Sequence, residues 1–265
     1  MRRLDVIELE DLSACPRAIR DGGTDWLRFA AEFTGAFDPV APKLRAAMDA
    51  GGVDRIVDLC SGGGGPWNRL EPVLRQSGDV EVTLTDLYPN EDALAHARAR
   101  SGGRLKTRLE PTDATDVPAS LPGVRTLFNG FHHFNPAQAR AILADAVDKR
   151  QPIAIFEGFH HRALGMLMVW SQVPLVWLLT PLVRPFSLTR LLLTYVVPAI
   201  PFIVWFDGTM SMLRLYLKDE LREMVESIDG HASFDWDIGT TKIPGVPLGH
   251  LTHLVGTPRA LSNDD

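Results

Sequence analysis

Three groups of side chains have the types and spacing that chemistry needs. The first is the glycine-rich stretch Asp58-Leu59-Cys60-Ser61-Gly62-Gly63-Gly64-Gly65-Pro66-Trp67. Glycine lets a backbone turn tightly and approach a ligand with no Cβ in the way. A strand, such a turn and a helix in succession bind nucleosides or phosphates, and an acid about 20 residues on can reach ribose hydroxyls. Asp86 stands 21 residues beyond Gly65, with Leu87 behind it. The second group is histidine. His132-His133 and His160-His161 each follow an apolar run, and Glu157 precedes the second pair. Histidine exchanges protons near neutral pH, so either pair is a candidate to relieve a substrate hydroxyl of its proton, with Glu157 as base or as orienter. Two histidines and Glu157 would also suit zinc or iron. Adjacent residues point apart, however, and no metal is expected. The third group, Asp113-Ala114, sits in Thr112-Asp113-Ala114-Thr115-Asp116, which is ordinary loop chemistry as well. Structural roles compete throughout: an empty glycine turn, an Asp86 that caps a helix, histidines that cap or pack.

The elements that must hold these groups follow from periodicity. Arg55 to Cys60 is a short apolar, β-branched run, and Val80 to Asp86 alternates like a strand. Further strands are expected at Lys106 to Leu109, Val124 to Asn129 and Ile153 to Phe156. Helices are expected at Trp67 to Arg75, Glu91 to Arg100 and Pro136 to Val147, the last with Asn135 as N-cap and Pro136 at its first position. This alternation predicts a parallel sheet with right-handed crossovers. Ahead of it, Trp26, Phe29, Ala30 and Phe33 form a helical stripe, and a second helix runs to Gly51-Gly52. Behind it, Lys218 to Ile228 reads as an amphipathic helix, with final strands at Ser233 to Ile243 and Leu251 to Gly256.

Two nucleotides compete for the glycine turn. The dinucleotide fingerprint wants a small third residue for helix packing, and alignment on Gly62 and Gly64 puts Trp67 there instead. Asp58-x-Cys60-x-Gly62-x-Gly64 resembles motif I of the class I S-adenosylmethionine-dependent methyltransferases, with Cys60 in place of the first glycine. The resemblance covers residues 50–160 well and 215–257 loosely. It implies a doubly wound α/β fold with a seven-stranded, mostly parallel sheet and a reversed C-terminal strand hairpin. It also implies S-adenosylmethionine as cofactor, held by Asp58, Cys60, Ser61, Gly62, Gly63, Gly64, Asp86, Leu87, Asp113, Ala114 and Asn129. By the same resemblance Asp58 serves the methionine end, Asp86 the ribose and Asp113 the adenine. The segment Thr126 to Phe134 looks like the strand-then-His-His-aromatic piece of small-molecule methyltransferases, in which His132 or His133 more often packs beside the cofactor. The catalytic candidates are His160, His161, His133 and Glu157.

An apolar helical insert separates the fifth and sixth strands. Ala163 to Val183 carries no charge over 21 residues, nor does Leu191 to Phe206, and Arg184 and Arg190 lie between. A run this long is a candidate membrane span, but Pro174 and Pro181 interrupt it. Three readings stand: a lid or homodimer interface, a shallow membrane hairpin with the arginines and tryptophans at the interface, or simple core. In the first two the acceptor is a small lipophilic molecule, with Trp170, Trp177, Tyr195, Trp205 and Phe206 as candidate pocket lining. The expected division is an N-terminal helical cap (1–50), the cofactor-binding core (51–160), the insert (161–215) and the core's completion (216–265). A net charge of −6 argues against nucleic acid as partner. Cys15 and Cys60 lack a metal or disulfide spacing, and the amino end lacks the apolar region of a signal peptide. A cytoplasmic enzyme is expected, with membrane association open. Other classes remain: a nicotinamide-dependent oxidoreductase, or a non-catalytic protein of the same fold.

Overall fold

The computed structural model describes residues 3–159, 162–246 and 248–260. Two helices lead, α1 (Arg17–Thr34) and α2 (Ala41–Gly51). An alternating series follows: β1 (Arg55–Asp58), α3 (Trp67–Arg75), β2 (Glu81–Leu84), α4 (Glu91–Arg100), β3 (Leu105–Thr107), β4 (Val124–Phe128), α5 (Pro136–Asp148) and β5 (Ile153–Glu157). The insert is α6 (Arg162–Leu179), α7 (Leu188–Tyr195) and α8 (Ala199–Arg214), and α9 (Lys218–Glu226), β6 (Phe234–Lys242) and β7 (His250–Pro258) close the chain.

The strands form one sheet in the order β3-β2-β1-β4-β5-β7-β6. Strands β1 to β5 run parallel, and β7 is antiparallel to both β5 and β6. This is the expected seven-stranded sheet with its reversed hairpin. Both faces are covered, which is why β5 is buried at every residue. Leu44 of α2, Leu70 of α3 and Leu94 of α4 pack on one face, and Ile142 of α5 and Leu221 and Met224 of α9 on the other. Two strands end earlier than their apolar runs because the backbone turns left-handed. Cys60 has φ 56° and Asn129 has φ 48°, so β1 stops at Asp58 and β4 at Phe128. Asn135 caps α5 as expected: its Oδ1 accepts from the Gln138 N–H at 3.0 Å, and the Gln138 side chain returns the bond.

The order reverses between β1 and β4, each of which pairs with the other at Asp58 and Thr126. In an open α/β sheet the crevice at that reversal is where ligands bind. Helix α1 lies across it, and the insert packs on α1: Trp26 shares a core with Val176, Ile200, Ile203 and Val204. Arg190, expected at an exposed interface, is buried. Its guanidinium meets Asp25 of α1 at 2.5 Å and donates to the Val183 carbonyl at 2.7 Å. A buried guanidinium needs partners for its donors, and these tie the insert to α1.

Candidate active site

The glycine turn begins where β1 ends, on a net of side chains around Asp58. The carboxylate is buried and accepts from Ser61 Oγ and Thr126 Oγ1, each at 2.6 Å. Burial pushes Asp58 up to about 6, and the two hydroxyls pull against that rise. Ser61 Oγ in turn accepts from the Thr85 N–H at 3.1 Å, which joins the turn to the end of β2. Asp86 closes the link from the other side. Its Oδ2 accepts from the Gly62 N–H and its Oδ1 from the Tyr88 N–H, both at 2.9 Å. A carboxylate oxygen has two lone pairs, so Asp86 keeps acceptor capacity toward the crevice. At Cys60 a residue with a side chain occupies the left-handed conformation that glycine takes without strain, and burial raises its thiol well above the ordinary range. Gly64 is required twice over: φ is 95°, and a Cβ would come 2.9 Å from that of Ala97.

The remaining expected cofactor residues differ among themselves. Asn129 stands at the crevice, and its Oδ1 accepts from the Gly158 N–H at 2.7 Å. Leu87 is exposed beside Asp86. Asp113 is exposed and accepts from both the N–H and Oγ1 of Thr115 within its own turn, while Ala114 is buried in the core with Val57 and Leu59. Trp67 is fully buried against Phe128 at the start of α3.

A cavity of about 140 Å³ lies next to this turn. Its floor is the strand-end edge of the sheet, with Asn129, His132, Glu157 and Gly158, and its roof is the insert, with Val169, Ile203, Val204 and Met212. Helix α1 joins the two places: Gly23 lines the cavity, while Thr24 packs against Gly62 of the turn. The aromatic set expected to line a pocket does not do so. Trp170, Trp177, Tyr195 and Trp205 are exposed on the outer face of the insert. Helical phase explains the correction, since Trp170 follows Val169 by one residue and points a quarter-turn or more away.

The polar wall of the cavity is built around His132. This ring is buried, and its Nδ1 lies 2.5 Å from Glu157 Oε2, while Glu157 Oε1 accepts from the Phe131 N–H at 2.7 Å. A carboxylate accepts, so Nδ1 is the donor of this pair, and Nε2 is the buried ring atom left without a hydrogen-bond partner. His133 turns the same way and pairs through Nδ1 with Asp11 at 2.9 Å. Burial opposes its charge, but the bond to Asp11 and the carboxylates of Glu8 and Glu10 outweigh burial and raise His133 to about 9. Of the four catalytic candidates, Glu157 and His133 therefore meet at this wall, and His160 and His161 lie outside the described residues. Sequence reasoning did not include His132 among the catalytic candidates, nor Glu8, Asp11, Asp207 and Arg214, which gather at the same wall. A lone acid ending a long apolar run, as Asp207 does, is the one local signal that pointed there.

Solved structures share this architecture. The O-methyltransferase NcsB1 from neocarzinostatin biosynthesis, in complex with S-adenosyl-L-homocysteine and 1,4-dihydroxy-2-naphthoic acid, superposes with a TM-score of 0.56 at 15% identity, over 94% of this chain and 61% of that one. Its complex with S-adenosylmethionine and 2-hydroxy-5-methyl naphthoic acid gives 0.52 at 17% identity, over 94% and 60%. The chain thus spans about 60% of the length of these neighbours. No protein-family model and no curated protein matches the sequence. The fold is that of the class I, Rossmann-like S-adenosylmethionine-dependent methyltransferases.

Proposed function

We propose that this chain is an S-adenosylmethionine-dependent methyltransferase acting on a small, largely apolar acceptor that bears a hydroxyl or a similar nucleophile. The observation that carries this reading is the meeting of two sites through α1: a glycine turn bonded to Asp86, and an apolar-roofed cavity with His132 and Glu157 on its floor. The turn from Cys60 to Gly64, with Asp86, Leu87 and Asn129, would hold the cofactor. Asp58 would act behind the turn, fixing it through Ser61. Asp113 and Ala114 would border the adenine. The sulfonium methyl supplies the electrophile, and the protein's part is alignment and relief of the acceptor's proton. His132, which lines the cavity with Nε2 unpartnered, is the group that would act on that proton.

The insert bears on where the acceptor comes from. The stretch Arg162–Leu182 has a mean hydropathy of 1.6, and 22% of its apolar window is buried. A core helix would be mostly buried, so the outer face, with Trp170, Trp177 and Leu178 exposed, calls for another cover. Residues 158–206 contain no acid, in a chain of net charge −6, and of their three arginines Arg184 is exposed while Arg190 is buried on Asp25. We infer peripheral contact with the anionic surface of a cytoplasmic membrane, from which a lipophilic acceptor reaches the inner face. A homodimer through the same face is the second reading.

Calorimetric titration with S-adenosylmethionine, S-adenosylhomocysteine and NAD tests the cofactor. Binding of the sulfur ligands, lost in Asp86→Ala, is expected. Binding of NAD alone, or of none of the three, would overturn the proposal. Flotation with anionic vesicles tests the membrane contact.

A further inference from the structure

The amino-terminal segment brings a third acid to the histidines. Asp207 of α8 accepts from the Leu9 N–H at 2.7 Å and the Glu10 N–H at 3.0 Å, which pins residues 8–11 over the turn that carries His132 and His133. Glu8 is buried there, facing the Nε2 atoms of both rings, whose centroids lie 4.4 Å apart. Its Oε1 lies 3.8 Å from His132 Nε2, and its Oε2 lies 3.9 Å from His133 Nε2. One ligating atom from each of the three falls within 4.8 Å of the others.

Three features distinguish this cluster from a crowd of acids. Each imidazole has a carboxylate on its far nitrogen, Glu157 for His132 and Asp11 for His133. Metal-binding histidines are characteristically held this way, because the far carboxylate fixes the ring and leaves Nε2 as the ligating atom. Second, His132 Nε2 is buried, its side chain 5% exposed, and has no hydrogen-bond partner. A buried polar atom without a partner is destabilising, and a ligand there would relieve that cost. Third, the carboxylates of Glu8, Glu10, Asp11, Glu157 and Asp207 gather here against the His133 ring and the guanidinium of Arg214, which reaches Glu8 at 3.1 Å and Asp11 at 2.5 Å, so acids outnumber cations. So much negative charge out of water favours a cation among it.

We propose that Glu8, His132 and His133 bind one divalent first-row transition-metal ion, through both Nε2 atoms and the Glu8 carboxylate, with an open coordination position toward the cavity. Two imidazoles and a carboxylate suit zinc, iron, cobalt or manganese, whereas magnesium and calcium prefer oxygen alone. Zinc bonds of about 2.0–2.2 Å set tetrahedral ligand atoms roughly 3.4 Å apart. The Glu8 separations of 3.8 and 3.9 Å run to its two different oxygens, so the carboxylate must turn one oxygen toward both rings to ligate. Glu10 Oε1, at 3.7 Å from His133 Nε2, is placed as a further donor. This site does not depend on methyl transfer. Under the methyltransferase reading, however, its open position faces the acceptor.

The test is calorimetric titration of the chelator-stripped full chain with Zn²⁺ and Mn²⁺, with Mg²⁺ and Ca²⁺ as controls. One Zn²⁺ per chain is expected, weakened about 100-fold or more in Glu8→Gln and His133→Gln, and about 10- to 100-fold in Asp11→Asn. His231→Gln, at the opposite end of the sheet just before β6, should bind as wild type. The visible spectrum of added Co²⁺ gives a second readout that needs no variant: intense bands of a four-coordinate nitrogen–oxygen site are expected. Absence of Zn²⁺ binding to the wild type, or equal binding in Glu8→Gln and His133→Gln, would overturn the proposal. S-adenosylhomocysteine titrated into the same samples separates the two readings, since its binding speaks only for the cofactor site.

Discussion

The glycine-turn side and the insert-roofed side of the crevice are built in opposite ways. The first is made of near neighbours: a strand end, a glycine turn, and acids at positions 58 and 86, all bonded through backbone N–H groups or short hydroxyl side chains. The second is assembled from far apart. Glu8, His132, Glu157 and Asp207 come from the amino-terminal segment, the ends of two strands and the last helix of the insert. A site of the first kind leaves its pattern in the sequence, because the backbone conformation itself demands glycine and short polar residues at fixed offsets. A site of the second kind leaves almost none, since sequence separation carries no spacing rule.

The contrast can be broken at several points. Asp86→Ala should have the largest effect, weakening S-adenosylhomocysteine about 100-fold or more, because it removes a charged acceptor of both a turn N–H and the ribose. Val169→Ser on the cavity roof should leave that affinity unchanged in the same calorimetric experiment. If both variants lose cofactor equally, the two sides are one cooperative unit.

Next is the pH dependence of Asp58. Its carboxyl titrates near 6 when folded, against an ordinary value of 3.8. Between those values the folded chain holds the extra proton, so stability falls as pH rises from about 4 to about 6. The loss amounts to about 3 kcal/mol and is complete above that window. Asp58→Asn cannot titrate there, so the difference between the urea unfolding curves of the variant and the wild type should shift by that amount across the window. A flat difference would remove Asp58 from the buried net.

Gly64→Ala should cost about 2 kcal/mol, through its positive φ and the contact with Ala97, and lower the melting temperature by about 4–8 °C. The smallest effect belongs to the outer face of the insert. Trp170→Ser and Leu178→Ser should change stability by less than about 0.5 kcal/mol, as expected of exposed positions, while vesicle flotation falls. A large loss of stability in either variant would mean that this face is packed in the folded molecule.

The same contrast explains what was legible in the sequence. Alternating periods marked the strands and crossover helices of the sheet, and residue type marked the cap at Asn135, because each is a local rule; the reversed hairpin followed from the family resemblance. Strand ends were read a residue or two long at Cys60 and Asn129: the cysteine gives no sign of a left-handed backbone, and the asparagine, a type that adopts one readily, was the clue available. The insert was visible as a feature but not in its orientation. A helix apolar all round carries no polar face to mark the outside, so Trp170 and Trp205 read as lining although Val169 and Val204 have that role. Arg190 read as a surface charge because its partner Asp25 is 165 residues away. His132 was set aside in favour of other rings because the bond that orients it, from Glu157, is a tertiary contact.

The central claim is that the glycine turn and the insert-roofed cavity form one active centre. A crystal structure with S-adenosylhomocysteine tests it most directly. The expected result places the ribose on Asp86 and the sulfur between Cys60 and Asn129, facing the cavity above His132. A sulfur directed away from that cavity, or a ligand bound elsewhere on the chain, would contradict it.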